Sequence, residues 1–299
     1  MAFRRIRKKL GCLTVIIALV LVAAAVVEYF VPGGVQGLFG KESVAPVEGE
    51  AVFHFIDVGQ ADAALICTAD GNVLIDAGMQ ASEADLKAYL KAQGIETIDY
   101  AIFTHPHEDH IGGADMVMKN FDVKNVILPD KTSTTKTYTN MMEAIEESGA
   151  KVITAQPDAT YSVGDLRLTV LAPIKGGYSD LNNYSVVVRV DFGGASAMFT
   201  GDAEAISEEE MLSRYGLTGK LDCDLLKVGH HGSKSSTTQA FLDKVSPSVA
   251  VISCGKGNDY GHPEAVILNR LDKKKVPYYR TDTEGSVVFS TDGEAWTKK

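Results

Sequence analysis

The sequence has 299 residues, of which 45% are hydrophobic, 23% charged and 8% aromatic. These proportions exclude a disordered, collagen-like or cysteine-knotted chain, and the length suits one large domain or two small ones, each able to bury a core. Formal net charge is −10, unevenly spread: residues 1–10 hold five of the 29 basic residues, and from residue 31 onward 24 basic residues face 38 acidic ones, net −14. A chain of that sign does not coat polyanions, so an anionic ligand has to be met at a local site. Four cysteines (Cys12, Cys67, Cys223 and Cys254) contain no CxxC pair, which excludes a cysteine-based zinc ribbon or a disulfide scaffold. Cys67 and Cys254 read as buried thiols on apolar strands.

Arg4, Arg5, Arg7, Lys8 and Lys9 precede an uncharged, mostly apolar run from Leu10 to Val27. At about 1.5 Å per residue this run makes ~27 Å of helix, close to the ~30 Å hydrocarbon core of a bilayer. Residues 1–30 therefore read as a signal anchor. The basic end stays in the cytoplasm and the remainder is exported, membrane-anchored and extracytoplasmic. Cleavage near Ala23-Ala24-Ala25 is the alternative and would release a secreted protein. Residues 31–50, with five glycines and two prolines, read as a flexible linker, and 51–299 as the folded domain.

Apolar runs rich in β-branched residues predict strands over 51–58, 63–68, 72–76, 99–104, 124–128, 166–171, 185–192, 195–200, 222–229, 248–253 and 285–290. Helical spacing predicts helices from Ser82 to Gly94 and over 136–148, 204–215, 236–245 and 263–274. In the last of these Pro263 takes a first-turn position that needs no amide proton. Hairpins and helices mixed along one chain predict an α/β sandwich, with sheets covered by helices.

Six of the seven histidines fall in three short stretches: Thr104-His105-Pro106-His107-Glu108-Asp109-His110, Gly229-His230-His231-Gly232 and Gly261-His262-Pro263. Only His54 lies outside them, and its alternation along a strand marks it as structural. Imidazole and carboxylate crowded on one loop suit a borderline divalent cation such as Zn²⁺, Mn²⁺ or Fe²⁺. Asp76 and Asp202 end strands in the same manner.

The H-x-H-x-D-H loop, the Thr200-Gly201-Asp202 strand end and His230-His231-Gly232-Ser233 resemble the metallo-β-lactamase superfamily from about Ala51 onward. Phe55-Ile56-Asp57-Val58-Gly59-Gln60-Ala61-Asp62, Leu226-Lys227-Val228-Gly229-His230-His231-Gly232-Ser233 and Tyr260-Gly261-His262-Pro263 narrow this to the C-terminal domain of ComEC-type competence DNA-uptake proteins. Ala61 stands where those domains have glycine, and the multi-helix channel is replaced by one apolar segment. The resemblance implies an αββα sandwich with two divalent ions, Zn²⁺ or Mn²⁺, at one edge between the sheets. His105 and His107 would hold one ion and Asp109 and His110 the other. Asp202 would bridge them, and His230 would be the next ligand with His231 as alternate. The superfamily's further histidine is missing: the region holds Asn182-Asn183-Tyr184-Ser185 instead. The first site is then one ligand short, which weakens it or leaves a position for water or substrate.

The resulting chemistry is hydrolytic, with Asp109 orienting or deprotonating the attacking water. Asp57 and Asp76 are candidates to fix the ligand imidazoles from behind. Lys227 and Lys234 flank the histidine pair and are candidate contacts for a phosphate oxygen, Lys234 the better placed, and His262 is a candidate proton donor. Three functions fit: a phosphodiesterase, foremost a nuclease acting on nucleic acid at a local site; another hydrolase, of a thioester, lactam or phosphocholine ester; and a binding module with an incomplete metal site. No protein partner follows from the sequence.

Overall fold

The computed structural model describes residues 44–299. The anchor expected over 1–30 and most of the linker lie outside the described residues, among which no helix is long and apolar enough to cross a membrane.

Two sheets carry the fold. The first runs β15-β14-β1-β2-β3-β4-β5-β6. Its strands are β1 (Ala51–Phe55), β2 (Ala64–Thr68), β3 (Gly71–Ile75), β4 (Thr97–Ile102), β5 (Asp122–Leu128), β6 (Lys151–Thr154), β14 (Val287–Thr291) and β15 (Trp296–Lys298). The second runs β13-β12-β11-β10-β9-β8-β7. It comprises β7 (Thr160–Val163), β8 (Leu166–Ala172), β9 (Val187–Phe192), β10 (Ala195–Phe199), β11 (Leu225–Lys227), β12 (Val249–Ile252) and β13 (Tyr278–Arg280). Each sheet is antiparallel in one half and parallel in the other, β3 to β6 in the first and β10 to β13 in the second.

Strand periodicity sorts the side chains into three apolar layers. Phe53 and Phe55 of β1 point between the sheets, where Phe199 of β10 stacks on both at 6.5 and 5.5 Å. Leu65 and Cys67 of β2 turn outward to meet α1 (Glu83–Ala92), α3 (Ala114–Asn120) and α4 (Lys136–Ser148). Met198, Leu226 and Ala250 of the second sheet turn outward to meet α5 (Ala205–Tyr215), α6 (Gln239–Val245) and α7 (Ala265–Lys274). The order is helix, sheet, sheet, helix, as expected. Two short helices, α2 (Glu108–Ile111) and α8 (Thr281–Glu284), and three 3-10 turns (Gln80–Ser82, Leu181–Tyr184 and Gly229–Gly232) complete the described elements.

Some boundaries differ from expectation. The helix expected from Pro263 begins at Ala265, because Pro263 packs against the turn carrying Gly232 instead of opening the helix. The helix expected from Ser236 begins at Gln239, where the Thr238 side chain accepts the Phe241 amide and fixes the start. Strands β6, β7, β13 and β15 are additional. Each has three or four residues, none is wholly buried, and so none shows an apolar run. The three described cysteines are buried free thiols.

Candidate metal centre

The parallel strands deliver the polar residues, because their carboxyl ends open at one edge of the sandwich, where open α/β sheets bind ligands. Asp76 follows β3, Thr104 and His105 follow β4, and Asp202 follows β10. His230 and His231 follow β11, and Ser253 follows β12. Asp76, His230 and His231 all have positive φ, at 60°, 50° and 53°. Such backbone is strained in residues other than glycine and gathers at functional sites. Gly201 and Gly232 are required by space as well as by φ. A Cβ on Gly201 would lie 2.9 Å from Thr104, and one on Gly232 would lie 2.5 Å from Pro263.

Hydrogen bonds fix which ring nitrogen of each histidine faces the cleft. Asp76 accepts the Thr104 amide at 2.7 Å and the Thr104 hydroxyl at 2.8 Å, and its Oδ2 lies 2.8 Å from His110 Nδ1. The His110 Nε2 that remains has no hydrogen-bond partner although fully buried, and it faces Asp202 Oδ1, also without a partner, at 3.3 Å. His231 Nδ1 donates to the Ser253 carbonyl at 3.0 Å, so that Nε2 faces the cleft, 3.2 Å from Asp109 and 3.7 Å from Asp202. His105 Nδ1 lies 3.2 Å from the hydroxyls of Thr104 and Ser185. Its Nε2 meets His107 Nδ1 at 3.0 Å and Asp202 Oδ2 at 3.9 Å.

Asp109, His110, Asp202 and His231 thus offer ligand atoms all within 4.8 Å of one another. His230 is a neighbour of that group: its Nε2 lies 3.5 Å from Asp202 Oδ2, and its Nδ1 lies 3.1 Å from the Ser235 hydroxyl. Of the two histidines in the turn, the four-residue group takes His231, the alternate in the sequence reading, and places His230 beside Asp202.

The charge balance fits a cation. Burial works against a charged imidazole, yet Asp202 and Asp62 lift the His231 ring to about 10. Burial likewise opposes charge on His110, and Asp202, Asp76 and Asp109 overcome it, raising that ring well above its ordinary value. Protons on these rings stand where the carboxylates call for positive charge. With two orphaned buried atoms aimed at each other and two facing ring nitrogens, the residue set suits divalent ions.

The family comparison agrees with this geometry. The model of the metallo-beta-lactamase superfamily matches residues 56–256. The chain belongs to the metallo-β-lactamase superfamily. It is 32% identical over 260 residues to ComE operon protein 3 of Bacillus subtilis, covering 81% of this chain and 33% of that protein. It is 32% identical over 237 residues to recombination protein 2 of Haemophilus influenzae, covering 78% of this chain and 28% of the other. The chain therefore spans about a third of the length of these relatives. Among solved structures, it resembles the metallo-β-lactamase fold protein YhfI of Bacillus subtilis, with TM-score 0.53, 14% identity and coverage of 81% and 100%. It also resembles CmlA, a diiron β-hydroxylase from Streptomyces venezuelae, with TM-score 0.54, 16% identity and coverage of 79% and 53%.

In this metallo-β-lactamase domain several residues lie elsewhere than their sequence roles suggested. Asp57 is exposed and its carboxylate accepts the Gly59 amide, so it shapes a turn. The acid behind the rings is Asp62, five residues on. It is buried, with Oδ1 3.4 Å from His231 Nδ1 and Oδ2 3.9 Å from His110 Nδ1. Burial would raise its carboxyl, but Lys227 foremost, with His231 and His110, pulls it down to about 2. Lys227 is buried and ion-paired to Asp62, which removes it as a phosphate contact. Its side chain points between the sheets with Leu225, as strand alternation requires. Lys234 is exposed and pairs with Glu264 at 3.3 Å, its own amide donating to the same carboxylate, so that cation is already partnered. Asn183 fastens α5: its Oδ1 accepts the amides of Glu204 and Ser207 and its Nδ2 donates to Glu204. In the Asn182–Ser185 stretch, Ser185 binds His105 and accepts the Asp202 amide at 3.0 Å.

His262 stands at the mouth of the site, its ring centroid 5.7 Å from His230 and 6.4 Å from His231. The Gln60 amide is oriented by Gly255, whose N–H it accepts at 2.9 Å, so its nitrogen faces His262 Nδ1 at 3.4 Å. The proton of a neutral ring then sits on Nε2. His54 is buried and structural, its Nδ1 3.0 Å from the Tyr89 hydroxyl, and burial lowers it to about 4.

Proposed function

We propose that this domain is a metal-dependent phosphodiesterase, foremost a nuclease, working on the extracytoplasmic side of a membrane. The observation that carries the reading is the group of half-buried Asp109 and buried His110, Asp202 and His231, with the His105–His107 pair beside it. The relative named for recombination supports nucleic acid as the substrate class.

His105 and His107 would hold one divalent ion and Asp109, His110 and His231 the other, with Asp202 reaching both. Bound divalent ions supply Lewis acidity and lower the pKa of water toward neutrality. Asp109 is the most open of the site's carboxylates, with its side chain 32% exposed, so it can accept a hydrogen bond from the attacking water and orient it. His262 presents Nε2–H at the mouth and can hydrogen-bond the leaving oxygen. Burial, then His231 and His230, lower its pKa, so it serves as a neutral donor at pH 7. Asp76 and Asp62 hold the rings in the tautomers that leave Nε2 free.

The test is a panel of bis-p-nitrophenyl phosphate, single-stranded DNA, nitrocefin and a thioester, each with Mn²⁺ and with Zn²⁺. Turnover of the first two and not the last two is expected; the reverse pattern would overturn the reading. Asp202→Ala should lose bound metal and lower turnover by roughly a thousandfold or more, because nucleophile and positioning are lost together. Unchanged turnover in that variant would place the chemistry elsewhere.

A further inference from the structure

Tyr260 is 73% exposed. Its ring lies nearly parallel to that of His262, at 24° with centroids 5.6 Å apart. His262 in turn lies 22° from parallel to His231, 6.4 Å away, so three rings step outward from the metal centre. The loop that holds them is tied down. Asn258 donates to the carbonyls of Gly255 and His262 at 2.9 and 2.6 Å and accepts the His262 amide at 3.0 Å. Space beside the loop is open, since a Cβ on Gly257 or Gly261 would meet nothing within 4 Å. An exposed aromatic on a loop held by hydrogen bonds loses little conformational freedom when it binds a flat partner.

From this arrangement we infer that Tyr260 is a stacking platform for a nucleobase of a single-stranded substrate, one neighbouring the phosphate under attack. Two ring steps separate Tyr260 from His231, so the stacked base belongs to an adjoining nucleotide and the site favours a polynucleotide strand. Stacking reads no sequence, because every base has a π-face. It also needs no cationic surface, which agrees with the acidic balance of the domain. This inference rests on the phosphodiesterase reading above, and its test separates the two.

Wild type, Tyr260→Ala and Tyr260→Phe, as full chains with Mn²⁺, are compared on an oligothymidylate and on an abasic sugar-phosphate strand of equal length. Tyr260→Ala is expected to lower kcat/KM on the oligothymidylate by about tenfold or more, with less than about a twofold change on the abasic strand. Tyr260→Phe should restore the first value. Equal losses on both strands, or no loss on the oligothymidylate, would overturn the inference. If the wild type cleaves neither strand, the phosphodiesterase reading has failed, and fluorescence anisotropy on EDTA-treated protein decides the stacking alone. Preference for labelled oligothymidylate over the abasic strand, lost in Tyr260→Ala, supports it; equal binding of the two overturns it.

Discussion

Asp62, in the loop between β1 and β2, and Lys227, on β11 of the other sheet, meet in a space that excludes water. Neither can lose the other cheaply, because an unpaired charge at that depth costs far more than the pair contributes. Asp62→Ala should therefore lower unfolding free energy by about 3–5 kcal/mol in urea titrations. Adding Lys227→Met should recover most of it. Metal content measured on the double variant should still be reduced, by about 10- to 100-fold in affinity, since Asp62 also stands behind His231 and His110. A single variant as stable as wild type would show that the pair is solvated and that the burial argument fails.

At the scale of elements, Glu208 of α5 is the group to watch. Its carboxylate accepts the amides of Thr237 and Thr238 at the start of α6, the latter at 2.8 Å, joining two helices of the outer layer. Burial pushes it up to about 7, against hydrogen bonds from Thr238 and Thr237 that pull down. A carboxyl raised in the folded state binds more protons folded than unfolded, so its stabilisation is full below about pH 4.5 and declines as pH rises through 7. The loss is about 3 kcal/mol across that window. Thermal unfolding of wild type should fall by several degrees from pH 5 to pH 8, and Glu208→Gln should flatten that slope. Equal slopes would sink the assignment.

Elements of this kind were legible in proportion to how continuously they are buried. β1 and β2, buried at every position, read directly from apolar runs, whereas β13 at a sheet edge has no such signal. The histidine clusters read from their placement at strand ends. What escaped was pairing: Asp62 lies 165 residues from Lys227, and Glu264 lies 30 from Lys234, so both lysines looked free along the chain. Asp57 and Asp62 share one loop, and only the folded turn shows which of them faces the rings.

For the whole molecule, the proposed extracytoplasmic location can be checked directly. Five cations ahead of an 18-residue apolar run are the reason for expecting residues 31–299 outside the cytoplasm. Protease added to intact cells should then remove a C-terminal tag; a tag protected until lysis would refute the topology. The acidic balance of residues 31–299 bears on the same question, because a domain of that sign is not drawn to anionic lipid headgroups and would stand off the surface.

Asp109 and His231, 122 residues apart, come from different sheets, as do His110 and Asp202. No contiguous fragment of either half holds a complete set of donors, and loop closure of that length is won late in folding. Ion capture is therefore a report on the finished chain. On the proposed function, a nascent or misassembled copy lacking the second half would lack Asp202 and His231 and should be inactive as a hydrolase.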